Sequence, residues 1–326
     1  MMVEREAPAV SQAAPDAEAD LAPGRVLRGR FELIEEIGRG GLSRVFKAKD
    51  LFAERVGLYR PWVALKIIEA GPDEDPDVVA LMHREARRLR DLVHPNIVRV
   101  YDMDVEGDIH FMVMEYLDGQ TLAQALRSTK ERKLPQHQVD RILIDVAAGL
   151  AFAHRRNVLH ADIKPANVFI TNSGQVKLID FNIAYPACRA RRFDAEDTVA
   201  ILGRLGGVTP AYASPRRLAG EEPDEGDDIF SLAVVVHIAL TGKRPFGAMN
   251  AMEARAQGLA AEIDIAIPIA ARRALATALA LDGKKRSASI VAFAAAYSAS
   301  PGAAWLVSVP MRIVAALRLL RSKARF

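Results

Sequence analysis

The sequence predicts an α+β chain of two lobes, a small β-rich lobe with one long helix followed by a larger α-helical lobe. Three observations predict it. From about Arg28 to Tyr116, short apolar runs are broken by glycine and proline, as in a strand-rich region. From Leu122 onward, apolar residues recur at three-four spacing, as in helices. Finally, polar and charged residues gather in His160-Ala161-Asp162-Ile163-Lys164-Pro165-Ala166-Asn167 and again in Ile179-Asp180-Phe181-Asn182. The lobes join near Glu115–Gly119, and clefts between lobes are where ligands usually sit.

The elements follow in order. Residues 1–25 read as a disordered tail, because 1–20 are rich in alanine, proline and acids and lack periodicity. The first lobe spans 26–116. In it Phe31–Ile37 is a strand, Gly38-Arg39-Gly40-Gly41 a turn, and Val45–Ala48 the returning strand. Trp62–Ile68 is a further strand, and after the loop Gly71–Pro76 a helix over about 78–92 is stopped by His94-Pro95-Asn96. Strands near Ile97–Met103 and His110–Glu115 complete the lobe. The second lobe spans 117–300, with helices at Leu122–Ser128 and Gln136–His154. A small hairpin pairs Val168–Ile170 with Val176–Ile179, an irregular segment runs from Asp180 to Pro215, and helices fill the rest. The apolar run Leu232–Leu240 is too short to span a bilayer and contains His237, so it reads as a buried helix. Residues 301–326 form a basic amphipathic tail.

The 326 residues suffice for both lobes, and 44 Lys and Arg against 41 Asp and Glu leave charge near balance. The single Cys188 rules out an intramolecular disulfide and fits a reducing compartment. Glu4 and Glu6, with no apolar core beside them, argue against a cleaved secretory signal. The expected location is therefore cytoplasmic. After Asp282 the charges are all basic, so residues 303–326 suit an anionic partner; Pro310 starts a helix with Ile313, Ala316, Leu317 and Leu320 on one face. Docking at an anionic membrane surface and docking on the chain's own lobe both remain open. No nucleic-acid partner is expected.

The chemistry is carried by a few constellations. Glycines between two strands let backbone N–H groups approach a polyphosphate, although such a hairpin alone is common. Lys66 emerges from the apolar strand Val63–Ile68. Glu85 falls on the stripe of Val78, Met82, Leu89 and Leu92 and needs a cationic partner, for which Lys66 is the natural candidate. Asn167 and Asp180 end the small hairpin, so their oxygens can converge on a hard cation such as Mg²⁺. His160 reads as a packing residue.

Together these segments resemble a eukaryotic-type (Hanks-type) protein kinase domain, most similar to bacterial Ser/Thr kinases, over roughly residues 28–299. The resemblance implies the two-lobe kinase fold and an ATP-dependent phosphotransferase acting on Ser or Thr of proteins. It places Ile37, Gly38, Gly40, Gly41 and Val45 over the nucleotide, Ala64 and Lys66 on the adjoining strand, and Glu85 as the lysine's helix partner. Met114 matches the gatekeeper, with Glu115 and Leu117 offering backbone groups to adenine. Asp162 would accept the hydroxyl proton and Lys164 contact the γ-phosphate. Asn167 and Asp180 would hold Mg²⁺, with Mn²⁺ as an alternative. Asp228 would anchor the catalytic loop. Lys164 and Thr209-Pro210-Ala211-Tyr212 point to Ser/Thr rather than Tyr.

Departures from the family pattern are equally specific. Ser43 replaces the third glycine, Asn182 replaces the glycine after Asp180-Phe181, and Ala161 replaces an Arg that often receives a phosphorylated loop residue. Ala166 lacks an acid that attracts basic substrates, so no strong preference for upstream Arg is expected. Arg216 stands where a Glu usually pairs with an Arg aligned to Arg286. Two cations there would repel, so Glu221 or Glu222 is expected to anchor the segment instead. Two other classes stay open: a nucleotide-binding pseudokinase or scaffold, fed by the departures at 161, 182 and 216, and a small-molecule phosphotransferase with a similar Asp…Asn…Asp core.

Overall fold

The computed structural model describes residues 21–40, 43–58, 60–68, 87–181 and 209–299. Among the described residues, nine strands and several helices divide as the periodicities require. A six-stranded antiparallel sheet has the order β1-β2-β3-β4-β6-β5, formed by β1 (Val26–Leu27), β2 (Phe31–Arg39), β3 (Ser43–Asp50), β4 (Trp62–Ile68), β5 (Val100–Glu106) and β6 (Ile109–Glu115). Period-two alternation splits its apolar residues between two faces. Phe31, Leu33, Phe46, Val63, Leu65, Ile67, Phe111 and Val113 fill one cluster. Ala64, Met112 and Met114 pack with Val98 and Val100 in another. Lys66 follows Ala64 by two residues, so it shares that second face.

The chain enters this lobe earlier than the sequence suggests. Leu21 is buried in the first cluster, although it falls in the stretch expected to be a tail to residue 25. A short helix, α1 (Leu51–Arg55), is inserted between β3 and β4. Asp50 caps it by accepting from the N–H groups of Phe52 and Ala53, and Arg30 donates to the same carboxylate at 2.6 Å. Residues 87–90 are helical and lie within the helix expected over 78–92.

Past Glu115 the chain turns through Gly119, whose backbone has φ +153°; a Cβ there would lie 2.2 Å from the Ile170 carbonyl oxygen. Only glycine fits this approach. It lets β7 (Gly119–Thr121) join β8 (Val168–Thr171) and β9 (Val176–Leu178), so the expected two-stranded hairpin is a three-stranded sheet. Leu178 exchanges backbone hydrogen bonds with Asn96 and Val98, both 2.8 Å, which ties the hairpin to the segment ahead of β5.

The second lobe is helical: α2 (Leu122–Ser128), α3 (Gln136–His154), α4 (Pro215–Leu218), α5 (Glu225–Thr241), α6 (Ala251–Ala256), α7 (Ile269–Ala278) and α8 (Ile290–Ser298). The predicted stripe of α3 is buried: Val139, Ile142, Leu143, Val146 and Leu150. On α5 nearly every residue from Asp227 to Ala239 is buried, because this helix forms the centre of the lobe. A reciprocal cap between Asp224 and Asp227 starts it, and Gly242 in the left-handed region ends it. No helix of the described residues is long and apolar enough to cross a membrane.

Candidate active site

The cleft between the sheet and the helical lobe gathers most of the predicted residues. Val45, Ala64, Met114 and Leu117 meet in one apolar cluster, joined by Ile179, which sequence reasoning did not single out. These side chains could sandwich a planar ligand. Gly38 pairs with Val45 across the hairpin, and Ile37 is exposed at 47%. Gly40 donates to the carbonyl of Ser43 at 2.8 Å. The two arginines near the tip of the hairpin fold back onto Glu36. Arg39 Nε donates to it at 2.8 Å and Arg44 Nη2 at 2.7 Å, and these bonds bring the Glu36 pKa down to about 2. The hairpin is thus stapled across its strands near its tip.

Lys66 Nζ lies 2.9 Å from Asp180 Oδ1. Burial works against an ionised Asp180, but the charge and hydrogen bond of Lys66 outweigh it and hold the carboxyl below its ordinary range. Glu85, the expected partner of Lys66, lies outside the described residues, as do Gly41, Asn182, Cys188 and the tail 303–326.

Opposite, the loop 160–167 presents a tight group. Lys164 Nζ pairs with Asp162 Oδ2 at 2.6 Å. Thr209 Oγ1 donates to Asp162 Oδ1 at 2.9 Å and accepts from Lys164 Nζ at 3.1 Å, closing a triangle. Asn167 Nδ2 donates to the Asp162 carbonyl at 2.8 Å and to Asp162 Oδ2 at 3.2 Å. With its nitrogen spent, the carboxamide oxygen of Asn167 is the atom left for a cation. Among the described residues no group of three or more His, Cys, Asp or Glu forms a metal site. One carboxylate and one carboxamide do match a hard cation that takes few protein oxygens and completes its shell with phosphates and water.

A buried carboxylate holds this loop from behind. Asp228, on the first turn of α5, accepts from the N–H of His160 at 3.0 Å, the N–H of Ala161 at 2.9 Å and His154 Nε2 at 2.8 Å. Burial opposes its charge, yet the His154 hydrogen bond and the remaining donors keep its pKa below the usual value. Ala161 sits at φ +61° and Asp180 at φ +58°, both left-handed. Such non-glycine conformations persist where surrounding bonds over-determine them. His160 is fully buried, with Nε2 3.0 Å from the Ile179 carbonyl oxygen and its ring 4.6 Å from that of Phe181, as its reading as a packing residue requires.

At the hinge, the Glu115 carboxylate accepts from buried Lys177 Nζ at 2.7 Å and from the N–H of Arg99 at 2.7 Å. Lys177, on β9, was not foreseen; its lysine-between-apolar-residues setting resembles that of Lys66 but carries no separate signal. Arg216 donates to Glu221 at 2.9 Å and to the Glu222 carbonyl at 3.2 Å, and also pairs with Asp224. Glu221 is thus in contact with Arg216 through its carboxylate, and Glu222 meets Arg216 through its backbone carbonyl.

Comparison with known proteins places this arrangement. Residues 31–290 match the protein kinase domain family. The serine/threonine-protein kinase PrkC of Bacillus subtilis is 32% identical over 239 residues, which is 73% of this chain and 34% of that protein. The tyrosine-protein kinase MasK of Myxococcus xanthus is 35% identical over 246 residues, 72% of this chain and 36% of that protein. The crystal structure of the PknI kinase domain of Mycobacterium tuberculosis is similar with a TM-score of 0.62 at 25% identity, covering 85% of this chain and 98% of that one. The chain spans about a third of the length of the curated relatives it matches.

Proposed function

From the premise that this chain belongs to the protein kinase domain family, we propose that it is an ATP-dependent Ser/Thr protein kinase. The observation that carries this reading is the triangle of Asp162, Lys164 and Thr209 facing the Lys66–Asp180 pair. In this reading the nucleotide base lies among Val45, Ala64, Met114 and Leu117, beneath Ile37 and the hairpin Gly38–Gly41, with backbone groups of Glu115 and Leu117 at its edge. Asp162 orients the substrate hydroxyl and accepts its proton. As the hydroxyl oxygen bonds to the γ-phosphorus, the bond to the β–γ bridging oxygen breaks and ADP leaves. Lys164 neutralises charge on the transferred group, and Lys66, with Glu85 as its partner, grips the remaining phosphates. Asn167 and Asp180 would hold Mg²⁺ or Mn²⁺, which when bound neutralises the phosphates. The substrates are proteins. Residues 303–326 would meet either an anionic membrane surface or the chain's own lobe, and liposome flotation with and without the segment separates the two.

The test is transfer of labelled γ-phosphate to the chain itself and to casein, comparing the wild type with Asp162→Asn and Lys66→Met. Loss of label in both variants is expected, with phosphoserine or phosphothreonine in the product. Equal labelling of all three proteins overturns the kinase reading and favours a scaffold. Phosphotyrosine as the main product overturns the Ser/Thr assignment.

A further inference from the structure

Arg286 is a buried cation whose family partner is missing, since position 216 holds an Arg. Its Nε donates to the Ala280 carbonyl at 3.0 Å and its Nη1 to the Gly226 carbonyl at 3.3 Å, and the guanidinium lies 5.0 Å from the Phe230 ring centroid. The carboxylate facing it is Asp227, with Oδ1 3.6 Å from Nη1 and the two side chains 3% and 2% exposed. Arg286 Nη2 has no hydrogen-bond partner among the described residues, and Asp227 is the carboxylate within ion-pair distance of the guanidinium. The same carboxylate accepts from Ser214 Oγ at 2.5 Å and from the Asp224 N–H at 2.9 Å. Ser214 caps α4 and follows Thr209 by five residues along the segment that completes the Asp162 triangle.

Arg216 is turned towards Glu221 and Asp224, yet it stays close to Arg286. A Cβ built on Gly283 would lie 3.8 Å from Arg216 Cδ and 4.0 Å from Arg286 Nη1. The two cations flank one glycine, which puts position 216 beside Arg286. Asp227 and Asp228 are consecutive on the first turn of α5. One carboxylate holds the end of the substrate-side segment, and the other holds the catalytic loop.

We propose that Asp227 is a positioning residue that takes over the role of the carboxylate absent at 216, seating Ser214 and Arg286 so that Thr209 meets Asp162. The inference rests on the kinase reading for its catalytic consequence, and on packing alone for the anchor itself. Removing one member of a buried ion pair leaves an uncompensated charge, which drives local rearrangement. Misplacing a positioned group by about 1 Å costs on the order of 100-fold in rate.

The test is a reversal. Asp227→Asn should lower kcat/KM for casein roughly tenfold to a hundredfold, raise its KM, and leave ATP affinity unchanged. It should also speed amide hydrogen exchange over residues 209–218. Adding Arg216→Glu in the Asp227→Asn background should restore both readouts, by returning a carboxylate to Arg286 from the other side. A single variant that fails to fold, with a double variant that folds, gives the same support. Wild-type behaviour of Asp227→Asn overturns the proposal, as does a defect, or a failure to fold, that Arg216→Glu leaves untouched. Hydrogen exchange decides the anchor even if the wild type transfers no phosphate, so failure of the kinase reading is told apart from failure of this one.

Discussion

Lys66 and Asp180, 114 residues apart in sequence, meet at 2.9 Å across the cleft. This ion pair joins a group proposed to grip phosphate from one lobe to a group proposed to hold metal from the other. Lys66→Met is expected to cut phosphoryl transfer on the order of 100- to 1,000-fold, while circular dichroism reports an intact fold. With its cation gone, burial of Asp180 is opposed only by the weaker charges of His160 and Lys164 and its pKa rises, so residual activity should fail at a higher pH than in the wild type.

Thr209 bridges Asp162 and Lys164 through one hydroxyl. Thr209→Val keeps the volume but removes the bridge, and is expected to lower kcat roughly tenfold to a hundredfold. Thr209→Ser keeps the hydroxyl and should stay within a few-fold of the wild type. Steady-state kinetics with casein separates the two, and equal loss in both variants would show that shape, not the bridge, matters.

Asp228 satisfies two backbone donors and His154 in the interior. Asp228→Ala strands all three, with an expected loss of about 3–5 kcal/mol in unfolding free energy. Urea denaturation measures it.

Ala161 occupies the left-handed region that favours glycine. Ala161→Gly removes that strain at some cost in unfolded-chain entropy, and should stabilise the fold by about 0.5–1 kcal/mol. A fall in the denaturation midpoint would contradict this.

His94 packs on Phe152 with ring centroids 5.0 Å apart. Burial first, then the charges of Arg155, Lys177 and Arg156, bring its pKa down to about 4. The folded value lies below the unfolded one of about 6.5, so the folded state binds fewer protons between them. Stability present above pH 6.5 should decline as pH falls towards 4, by about 1–2 kcal/mol for this partly exposed ring. In His94→Gln that share of the pH dependence should vanish from the urea midpoints.

Much of the fold was legible because it depends on local periodicity. The stripe of α3, the buried α5 and the alternation that puts Ala64 and Lys66 on one face follow from spacing alone. Asp162, Lys164, Asn167 and Asp180 could be named together because they lie in two short segments. Less legible were β7, which exists only because Gly119 lets two backbones meet, and α1, whose cap Asp50 is also claimed by Arg30. Lys177 and Ile179 carried no signal beyond an apolar setting.

By itself, the sequence determined the two lobes, the order of their elements and the chemical groups available to the cleft, since these follow from residue type and from spacing along the chain. Tertiary structure alone decided the pairings. Lys66 meets Asp180, Thr209 closes the triangle on Asp162, and Asp227 instead of Arg216 faces Arg286. The physical reason is that a charge is neutralised by whichever opposite charge folding brings within a few ångströms, and that distance is unrelated to separation in sequence. Position 216 makes the point. Its residue type announced that an expected contact was missing, and only the packing of α5 disclosed where the compensating carboxylate stands.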